Sequence, residues 1–567
     1  MTARGKFVLT LLILGLAGFG AYQWWDRLAP AALASADPAS ASASVPASAP
    51  ATAVSSAATA PASVIDDAEF VAPLLACPLL PPPAAYVAKD NTIDLELSEY
   101  AGYAGIIAAN GGLEPTENSV FFRKHGFKVR ITLSEEESWP ALNAGRIAAS
   151  ATTVDVLTAY CRNFAVTAPV QIGFSRGADG LVVRKDIRRI NDLRGKTLVT
   201  AQFTEADFFL RYLTQEAGIE VNLLSSPADT PAADKVNLLF ASDAFAAGDL
   251  FLKDLTAGGN LLAGCVTWAP KTTEVVEASG GRAQLLTTNK NLLIIADILI
   301  VNRGFAEANP KIVAGLVDGV LEGNRLVRDQ PATQLDLLAR AFKWSRDEVR
   351  DELAKVHLSN LPENLAFYAG TIDSAGSFSG IFSSALLAYG SLIDQPTDAD
   401  KYMAPAHLTA LQAAGAYAEQ RVAIAPIRSA GGGALEGDPL LTKDIRFLFE
   451  PNSAILQMGD AENAKNLESI RRLLQVSPGS TILLRGHVDN ALVEKFRQQG
   501  GDAFVRQMAL KAMELSKNRA NEIRRVLIER LQVSGERLET IGRGWEEPAG
   551  ADAELNRRVE VQWFTVE

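Results

Sequence analysis

Two kinds of apolar periodicity alternate along the middle of the chain. Segments in which every second residue is apolar have the pattern of strands, and segments with apolar residues three and four positions apart have the pattern of helices. In chain order, the strand patterns lie at 92–97, 128–133, 180–183, 197–200, 236–240 and 292–301, and the helix patterns at 102–110, 138–145, 205–217, 309–328 and 334–341. This alternation predicts a mostly parallel sheet with helices on both faces, and roughly 330 residues are enough for two α/β lobes. In open sheets of this kind, ligands bind beyond the carboxyl ends of the strands.

A second set of elements follows a glycine- and proline-rich break at 425–439. Strand patterns at 445–449, 481–487, 538–542 and 558–564 enclose two helix patterns at 460–476 and 505–530. This order predicts a compact α+β sandwich that is separate from the lobes before it.

The chain starts with a short basic leader and an apolar stretch at 7–25. That stretch is close to the length a helix needs to cross about 30 Å of hydrocarbon. Residues 1–27 are therefore predicted to form a single inner-membrane helix, with the bulk of the chain in the periplasm. The alternative is a cleaved signal peptide and a periplasmic or outer-membrane-associated product. The small-x-small site Ala34-Ser-Ala36 permits this, although it lies unusually far from the apolar core.

Residues 28–64 consist almost wholly of alanine, serine, proline, threonine and valine, and a second proline-rich stretch follows at 77–85. Such a composition offers few large side chains to offset the entropy of ordering, so residues 28–85 are predicted to be a disordered tether. A lipoprotein signal ending at Cys77 is a weaker reading, because it would follow this tether. The predicted domains are thus 1–27, 28–85, 86–425, a linker at 426–438, and 439–567.

Composition excludes several classes of function. The net charge of −12 provides no basic field for nucleic acid, so no nucleic-acid partner is expected. The four histidines and three cysteines are dispersed without metal-ligand spacing, and no metal, cofactor or catalytic constellation is predicted. Three buried thiols or one disulfide, for example between Cys161 and Cys265, both remain open. We expect the chain not to be an enzyme.

Several phrases of the middle segment resemble the periplasmic solute-binding proteins of ABC importers of the nitrate, sulfonate and taurine class. The phrases are Glu99-Tyr-Ala-Gly-Tyr103, Glu137-Ser-Trp-Pro-Ala-Leu-Asn-Ala-Gly145, Ala151-Thr-Thr-Val-Asp155, Ser175-Arg-Gly-Ala-Asp179-Gly, Asn191-Asp-Leu-Arg-Gly-Lys196 and Asn309-Pro-Lys-Ile-Val. The resemblance implies two α/β lobes that close around a ligand by a hinge, one of about 93–178 plus 298 onward and the other of about 179–297.

On this implication the ligand contacts lie at predicted loops and strand ends. They supply aromatic walls and hydrogen-bonding groups, and they are Tyr103, Trp139, Thr152, Thr153, Asp155, Arg176, Asp179, Thr204 and Trp268. The planar guanidinium of Arg176 suits an oxyanion, so the unknown small molecule is expected to be anionic. Each of these residues also has a structural reading. Asp155 can cap a helix, Arg176 can pair with Asp179, and the tryptophans can belong to the core.

The last segment resembles the OmpA-like peptidoglycan-binding family in five phrases that occur in the family's order. They are Phe449-Glu-Pro-Asn-Ser453, Arg485-Gly-His-Val-Asp489-Asn, Leu515-Ser-Lys-Asn-Arg519-Ala, Ile541-Gly-Arg-Gly-Trp545 and Asn556-Arg-Arg-Val-Glu560. The resemblance implies that Asp489 and Arg519 bind the diaminopimelate of the peptide stem, with Arg557 and Asn556 as further contacts. A carboxylate and a guanidinium complement the ammonium and carboxylate of such an amino-acid end. The alternative is that Asp489 and Arg519 only pair with each other.

This segment departs from the family pattern by an inserted stretch at about 491–502 and by Val488 where threonine is usual. The whole chain is then predicted to be a cell-envelope protein that binds peptidoglycan and presents a small-molecule-binding domain. A purely structural envelope link with a degenerate cleft and an enzyme on the solute-binding fold remain as alternatives.

Overall fold

The computed structural model describes residues 65–134, 138–371, 376–424, 439–450, 453–477 and 479–565. The predicted membrane segment at 1–27 and the predicted linker at 426–438 lie outside these ranges, as does the tether up to residue 64. Among the described helices, none combines the length and apolarity needed to cross a membrane.

The first lobe is built on a six-stranded sheet in the order β12-β4-β11-β3-β1-β2. Its strands are β1 (Thr92–Leu97), β2 (Lys128–Leu133), β3 (Ala149–Thr153), β4 (Val166–Ser175), β11 (Ala296–Asn302) and β12 (Val356–Leu358). Strands β1, β2 and β3 pair in parallel, whereas β4, β11 and β12 pair antiparallel. Because helices cover both faces, β3 and β11 are buried along their whole length.

The helices of this lobe connect and cover these strands. They are Ala104–Asn110, Val120–His125, Trp139–Asn143, Val154–Ala159, Arg303–Ala308, Pro310–Asp329, Pro331–Phe342, Arg346–Leu353, Leu361–Ala369, Phe378–Tyr389 and Ala406–Ala413. The longest of them packs its small residues closely, since Gly323 lies against the backbone of Gly105 on the neighbouring helix.

The second lobe repeats this arrangement with the order β10-β5-β9-β6-β8-β7. Its strands are β5 (Asp179–Arg184), β6 (Thr197–Thr200), β7 (Val221–Leu223), β8 (Val236–Phe240), β9 (Gly264–Trp268) and β10 (Ala283–Thr288), and its helices are Glu205–Glu216, Ala244–Thr256 and Lys271–Ala278. After β1 the chain crosses between the lobes twice, from β4 to β5 and from β10 to β11. The predicted two-lobed α/β architecture is confirmed.

The C-terminal region is a four-stranded sheet in the order β13-β16-β14-β15 with its helices on one side. Its strands are β13 (Leu441–Ile445), β14 (Thr481–Gly486), β15 (Leu538–Gly542) and β16 (Val559–Phe564), and its helices are Ala461–Val476, Val493–Glu529 and the short Ala553–Asn556. Trp563, fully buried, anchors its core. The long helix is interrupted at Gly500 and Gly501, and the φ of +61° at Gly501 is one that glycine adopts without steric cost.

The predicted tether is shorter than expected, because residues from 65 onward pack on the lobes. Ile65 and Leu80 are buried, the Val71 amide donates to the carbonyl of Phe240 (2.8 Å), and the Leu74 amide donates to the Gln202 side chain (2.7 Å). The boundary at residue 85 was therefore wrong. Large apolar residues such as Ile65 and Leu80 supply burial that offsets the entropy of ordering this segment.

The C-terminal region contacts the second lobe and the β10–β11 crossover through an ion pair with one buried partner and through backbone hydrogen bonds. Glu216, 2% exposed, binds Arg472 at 2.9 Å. The amide of Leu293, in the β10–β11 crossover, donates to the carbonyl of Val476 at 2.7 Å. One end of the helix Ala461–Val476 is thereby fixed beside the crossover.

Candidate functional site

A small, partly open cavity of about 20 Å³ lies where the two lobes meet at the crossover strands. Both sheets contribute to its wall, which consists of Ser98, Tyr100, Tyr103, Thr153, Ser175, Ala178, Asp179, Glu205, Trp268, Ile295 and Asp297. The volume is enough for about one water-sized group, so a larger ligand requires the lobes to separate. We call this site the cleft.

Strand pairing explains why these residues meet. Asp297 on β11 lies opposite Thr153 at the end of β3, and Asp179 at the start of β5 lies opposite Trp268 at the end of β9. Thr153 and Trp268 lie at the carboxyl ends of β3 and β9, which is where ligands of open α/β sheets bind, while Asp179 and Asp297 lie just after the two crossovers between the sheets.

The Asp179 carboxylate is held by two donors. Its Oδ2 accepts hydrogen bonds from the Ser175 hydroxyl (2.5 Å) and from the Asn289 side-chain amide (2.8 Å). Burial nevertheless dominates and raises the pKa of Asp179 to about 6.

Two further buried carboxyls, Asp155 and Asp297, lie near Asp179. Burial raises the pKa of Asp155 to about 7, with a smaller contribution from the charge of Asp179. Burial and the charges of both other aspartates raise the pKa of Asp297 well above its ordinary value. Asp297 had not been predicted as a site residue, because in the sequence it is one polar position inside a long apolar run.

Of the predicted ligand contacts, Tyr103, Thr153, Asp179 and Trp268 line the cleft. Thr152 and Asp155 are buried close to it in the chain, although neither lines the cavity. Trp139 is 2% exposed and packs against Tyr160 and Phe164 in the core of the first lobe.

Arg176 and Thr204 are placed outside the cleft wall. The Arg176 side chain is directed to the backbone, where its Nε donates to the carbonyl of Lys290 (3.3 Å). The Thr204 hydroxyl donates to the carbonyl of Ala201 (2.8 Å), just before the helix Glu205–Glu216. The expected anionic ligand loses its basis, because the guanidinium on which it rested does not face the cavity and carboxyls do.

The second site is an open pocket of about 560 Å³ in the C-terminal region. Asp489, Arg519 and Arg557 all line it, and we call it the wall pocket. Asp489 follows β14 and Arg519 lies on the long helix, so the sheet and the helix together bring one carboxylate and two guanidiniums to the same opening.

Asp489 pairs with Arg557 rather than with Arg519. The Asp489 Oδ2 lies 3.2 Å from the Arg557 guanidinium, and its Oδ1 accepts from the Ala491 amide (3.1 Å). Arg519 lies over the Phe449 ring, 5.0 Å from its centre, and its Nε donates to the carbonyl of Ser453 (3.1 Å). Burial and the charge of Arg557 lower the pKa of Arg519.

Asn556 directly precedes Arg557, which lines the wall pocket, but its own side chain stabilises a turn. Its side chain accepts from the amide of Ala549 (2.7 Å) and donates to the carbonyl of Gly550 (3.0 Å), and it is not part of the pocket lining. It therefore positions the turn that precedes Arg557.

The inserted stretch forms one side of the wall pocket. Phe496 lies in the first part of the long helix, stacks on Trp545 at 6.2 Å and lines the opening. The sequence marked the insertion but not this aromatic wall.

Among the described residues, one group of three potential metal ligands has its ligand atoms within 4.8 Å of one another, namely His487, Glu547 and Glu560. The guanidinium of Arg485 lies 2.8 Å from both carboxylates, in the place a cation would take. The three cysteines are free thiols.

Comparison with known proteins separates the two regions. Residues 448–562 match the model of the OmpA family. No curated protein matches the chain.

The solved structures similar to this chain include periplasmic binding proteins. The aliphatic sulphonate binding protein SsuA from Escherichia coli is 14% identical, with a TM-score of 0.41, and the match covers 57% of this chain and 100% of that one. The nitrate-binding protein NrtA from Synechocystis is 14% identical with a TM-score of 0.41, and the match covers 59% and 90% of the two chains. A sulfonate-binding protein from Methylobacillus flagellatus is 15% identical with a TM-score of 0.42, and the match covers 59% and 98%.

Proposed function

We propose that this chain is a cell-envelope binding protein that attaches non-covalently to peptidoglycan through residues 439–567 and binds a small solute between the lobes of residues 86–425. The observation that carries the first part is the wall pocket. It presents the carboxylate of Asp489 and the guanidiniums of Arg519 and Arg557 to one opening, within the region that matches the OmpA family model.

The chemistry of the wall pocket fits the end of a peptidoglycan stem. A diaminopimelate residue offers an ammonium and a carboxylate on one carbon, and fixed charges of both signs can bind them by charge-assisted hydrogen bonds. Because Asp489 is already paired with Arg557, the stem carboxylate has to share Arg557 or use Arg519.

Co-sedimentation of the full chain with insoluble peptidoglycan tests this assignment. We expect the wild type to sediment and Asp489→Asn to lose at least tenfold in affinity, because a charged hydrogen bond contributes about 1.5–3 kcal/mol. The exposed Asp502, on the long helix, supplies the matched control Asp502→Asn, which should sediment like the wild type. If the wild type stays in solution, the proposal is wrong for this region.

Binding of a solute is supported by the form of the cleft. A cavity enclosed by two lobes and two crossovers is the arrangement in which a hinge closes around a ligand. No histidine, cysteine, lysine or arginine occurs among the residues that line it, which favours binding over catalysis. A structural link with a degenerate cleft would predict that no solute stabilises the chain.

We place the chain in the envelope, held to the inner membrane by the apolar segment 7–25. Membrane fractionation of cells expressing the full chain, with a variant lacking residues 1–27, tests this part. Recovery in the soluble periplasmic fraction of a product that has lost its N-terminal segment would favour the cleaved alternative.

A further inference from the structure

The cleft contains buried polar groups whose hydrogen-bonding capacity is unused. The Oδ2 atom of Asp297 and the hydroxyl of Thr153, both in the cavity wall, have no hydrogen-bond partner among the described residues. Asp297 is 2% and Thr153 is 4% exposed. Buried polar groups in folded proteins are nearly always paired, so such groups in a binding cleft indicate a missing ligand.

Asp155 adds a second observation of the same kind. It is fully buried, and although the Thr153 hydroxyl is near enough to oppose the rise in its pKa, neither carboxylate oxygen accepts a hydrogen bond of normal geometry. The neighbouring Thr152 hydroxyl is also unpartnered. The unused capacity in this region thus comprises the carboxylate oxygens of Asp155 and Asp297, which can only accept when ionised, and the hydroxyls of Tyr100, Thr152 and Thr153, which can donate or accept.

The cavity wall supplies no cation of its own. It has two buried carboxyls, Asp179 and Asp297, and the half-buried Glu205, but no lysine, arginine or histidine. Ionised carboxylates are costly to bury unless an opposite charge accompanies them.

Aromatic rings complete the wall. Tyr100 and Tyr103 meet edge to face with ring centres 5.3 Å apart, and the Trp268 indole lies on the opposite lobe. Aromatic faces attract organic ammonium groups, and tryptophan does so most strongly. The cavity volume of about 20 Å³ matches the head of such a group rather than a whole larger molecule.

We propose that the cleft binds a small organic cation, with its protonated amine donating to Asp297 and Thr153 near Asp155 and Asp179 and packed against the rings of Tyr103 and Trp268. This inference rests on the proposed solute-binding role and names the class of solute. An anion would instead be buried against like charges.

A metal ion fits the geometry less well. In the described chain, the only group of three His, Cys, Asp or Glu ligand atoms close enough to share a metal is His487, Glu547 and Glu560, far from the cleft in sequence. The cleft carboxyls are too widely spaced to serve as three ligands of one ion. An organic cation with several N–H donors reaches separate acceptors through bonds of about 2.8 Å.

Thermal unfolding of the full chain with defined probes tests the proposal at pH 8. The cationic set is ammonium, ethanolamine, putrescine and guanidinium, each as the chloride. The comparison set is nitrate, sulfate and taurine as sodium salts or free compound, together with magnesium and calcium chloride, all at matched ionic strength. We expect at least one organic cation to raise the melting temperature by a few degrees at about a hundredfold excess over its Kd.

Two variants connect any such response to the cleft. Asp297→Asn should weaken binding of the active cation at least tenfold by calorimetry, whereas the exposed Asp186→Asn should leave it unchanged. Calorimetry in buffers of different ionisation enthalpy should also show proton release on binding, because a bound cation favours the ionised carboxyls. Binding that is equally tight in Asp297→Asn would overturn the assignment of the site.

The remaining outcomes distinguish this inference from the proposed function. Stabilisation by nitrate, sulfate or taurine and not by the cations would overturn the cation proposal and leave a solute-binding role in place. Stabilisation by magnesium or calcium alone would replace the organic cation by a metal. A complete absence of response in both sets would count against the cation and against solute binding, while co-sedimentation with peptidoglycan would still decide the wall pocket.

Discussion

The cleft and the wall pocket differ in volume, in charge and in how their charged groups are paired. The cleft is a cavity of about 20 Å³ with carboxyls and no cation in its wall, whereas the wall pocket has a volume of about 560 Å³ and combines both signs of charge. Asp489 already has a guanidinium partner at 3.2 Å, while the Oδ2 of Asp297 in the cleft wall and both oxygens of the neighbouring Asp155 lack a partner.

This contrast indicates two modes of binding. The wall pocket can receive a polymer end without movement of the lobes, because its charged groups are partly solvated and compensated before the ligand arrives. The cleft has to open, and its buried carboxyls are stabilised only when a ligand brings the missing charge. On the proposed function, ligand exchange in the cleft is tied to lobe motion, whereas attachment to the cell wall is not.

The largest expected difference between the two sites is their response to pH. Burial raises the pKa of Asp155 to about 7 and that of Asp179 to about 6, so acidification from pH 8 to 5.5 protonates both. The other titratable groups facing these carboxyls are Asp297, Glu205, Tyr103, Tyr100 and Tyr389. Burial raises the pKa values of Tyr100 and Tyr389 well above that of an ordinary tyrosine.

A carboxyl that must be ionised to bind the cation holds its proton below its pKa. For each such carboxyl, we expect the cation affinity of the cleft to fall about tenfold for every pH unit below that pKa. Arginines remain charged throughout, so peptidoglycan binding should change by less than about twofold. Calorimetry and co-sedimentation across the same pH series measure both. A parallel loss at the two sites would contradict the distinction drawn between them.

Arg519→Gln tests whether the two sites bind their ligands independently, because it changes only the wall pocket. Loss of one charged donor should reduce peptidoglycan affinity by about ten- to a hundredfold and leave the cleft unaffected. Arg525→Gln on the same helix is the control, because Arg525 is paired with Glu522 and Glu529 and is not part of the pocket lining. Equal sedimentation of the two variants would remove Arg519 from the binding site.

Asp155→Asn should stabilise the unliganded chain while weakening the cleft. The pKa of this carboxyl is raised on folding, so the folded state holds its proton more tightly, and the group's contribution to stability declines as the pH rises from about 4 to about 7. The variant should therefore gain about 1–3 kcal/mol at pH 8 and nothing at pH 4. Urea unfolding at the two pH values measures this, with Asp186→Asn as the control. A loss of stability at pH 8 would show that the carboxylate is compensated in the folded state.

The smallest expected effect concerns the inserted stretch. Phe496→Ala removes the ring that stacks on Trp545 and should lower peptidoglycan affinity about two- to tenfold, in line with the energy of an aromatic contact. Leu510→Ala is a suitable control because Leu510 is 70% exposed on the same helix and lies outside the pocket lining. Unchanged binding by Phe496→Ala would mean that the insertion only borders the site.

The alternation of apolar and polar residues predicted the bounds of several strands correctly. The predicted segments 92–97, 128–133, 197–200 and 236–240 have the bounds of β1, β2, β6 and β8. The same pattern gave wrong bounds where apolar residues are buried outside a strand. The run 292–301 was predicted as one strand, but β11 starts only at Ala296, because Leu292 to Ile295 are buried in the crossover beside the C-terminal region.

The start of the C-terminal sheet shows the same limit. Residues 445–449 were predicted as its first strand, whereas β13 is Leu441–Ile445 and pairs with β16. Phe447 lies in a loop and its side chain is buried in the core, so its apolar character does not indicate a strand. The inserted stretch at 491–502 lay outside the predicted helix 505–530, but from Val493 onward it belongs to the long helix Val493–Glu529.

The order of elements, the division into lobes and C-terminal region, and the candidate residues Asp489, Arg519 and Arg557 could be read from the chain alone, because these depend on short-range periodicity and on contiguous phrases. Which groups surround the cleft depends on the folded structure. Asp179 and Asp297 in the cavity wall and Asp155 beside it come from three separate stretches of the chain and meet because β11 returns between β3 and β4. The charge of a buried site depends on groups that are distant in sequence, and Coulomb interactions and desolvation act through space, so the acidic character of the cleft could be recognised only in the folded chain.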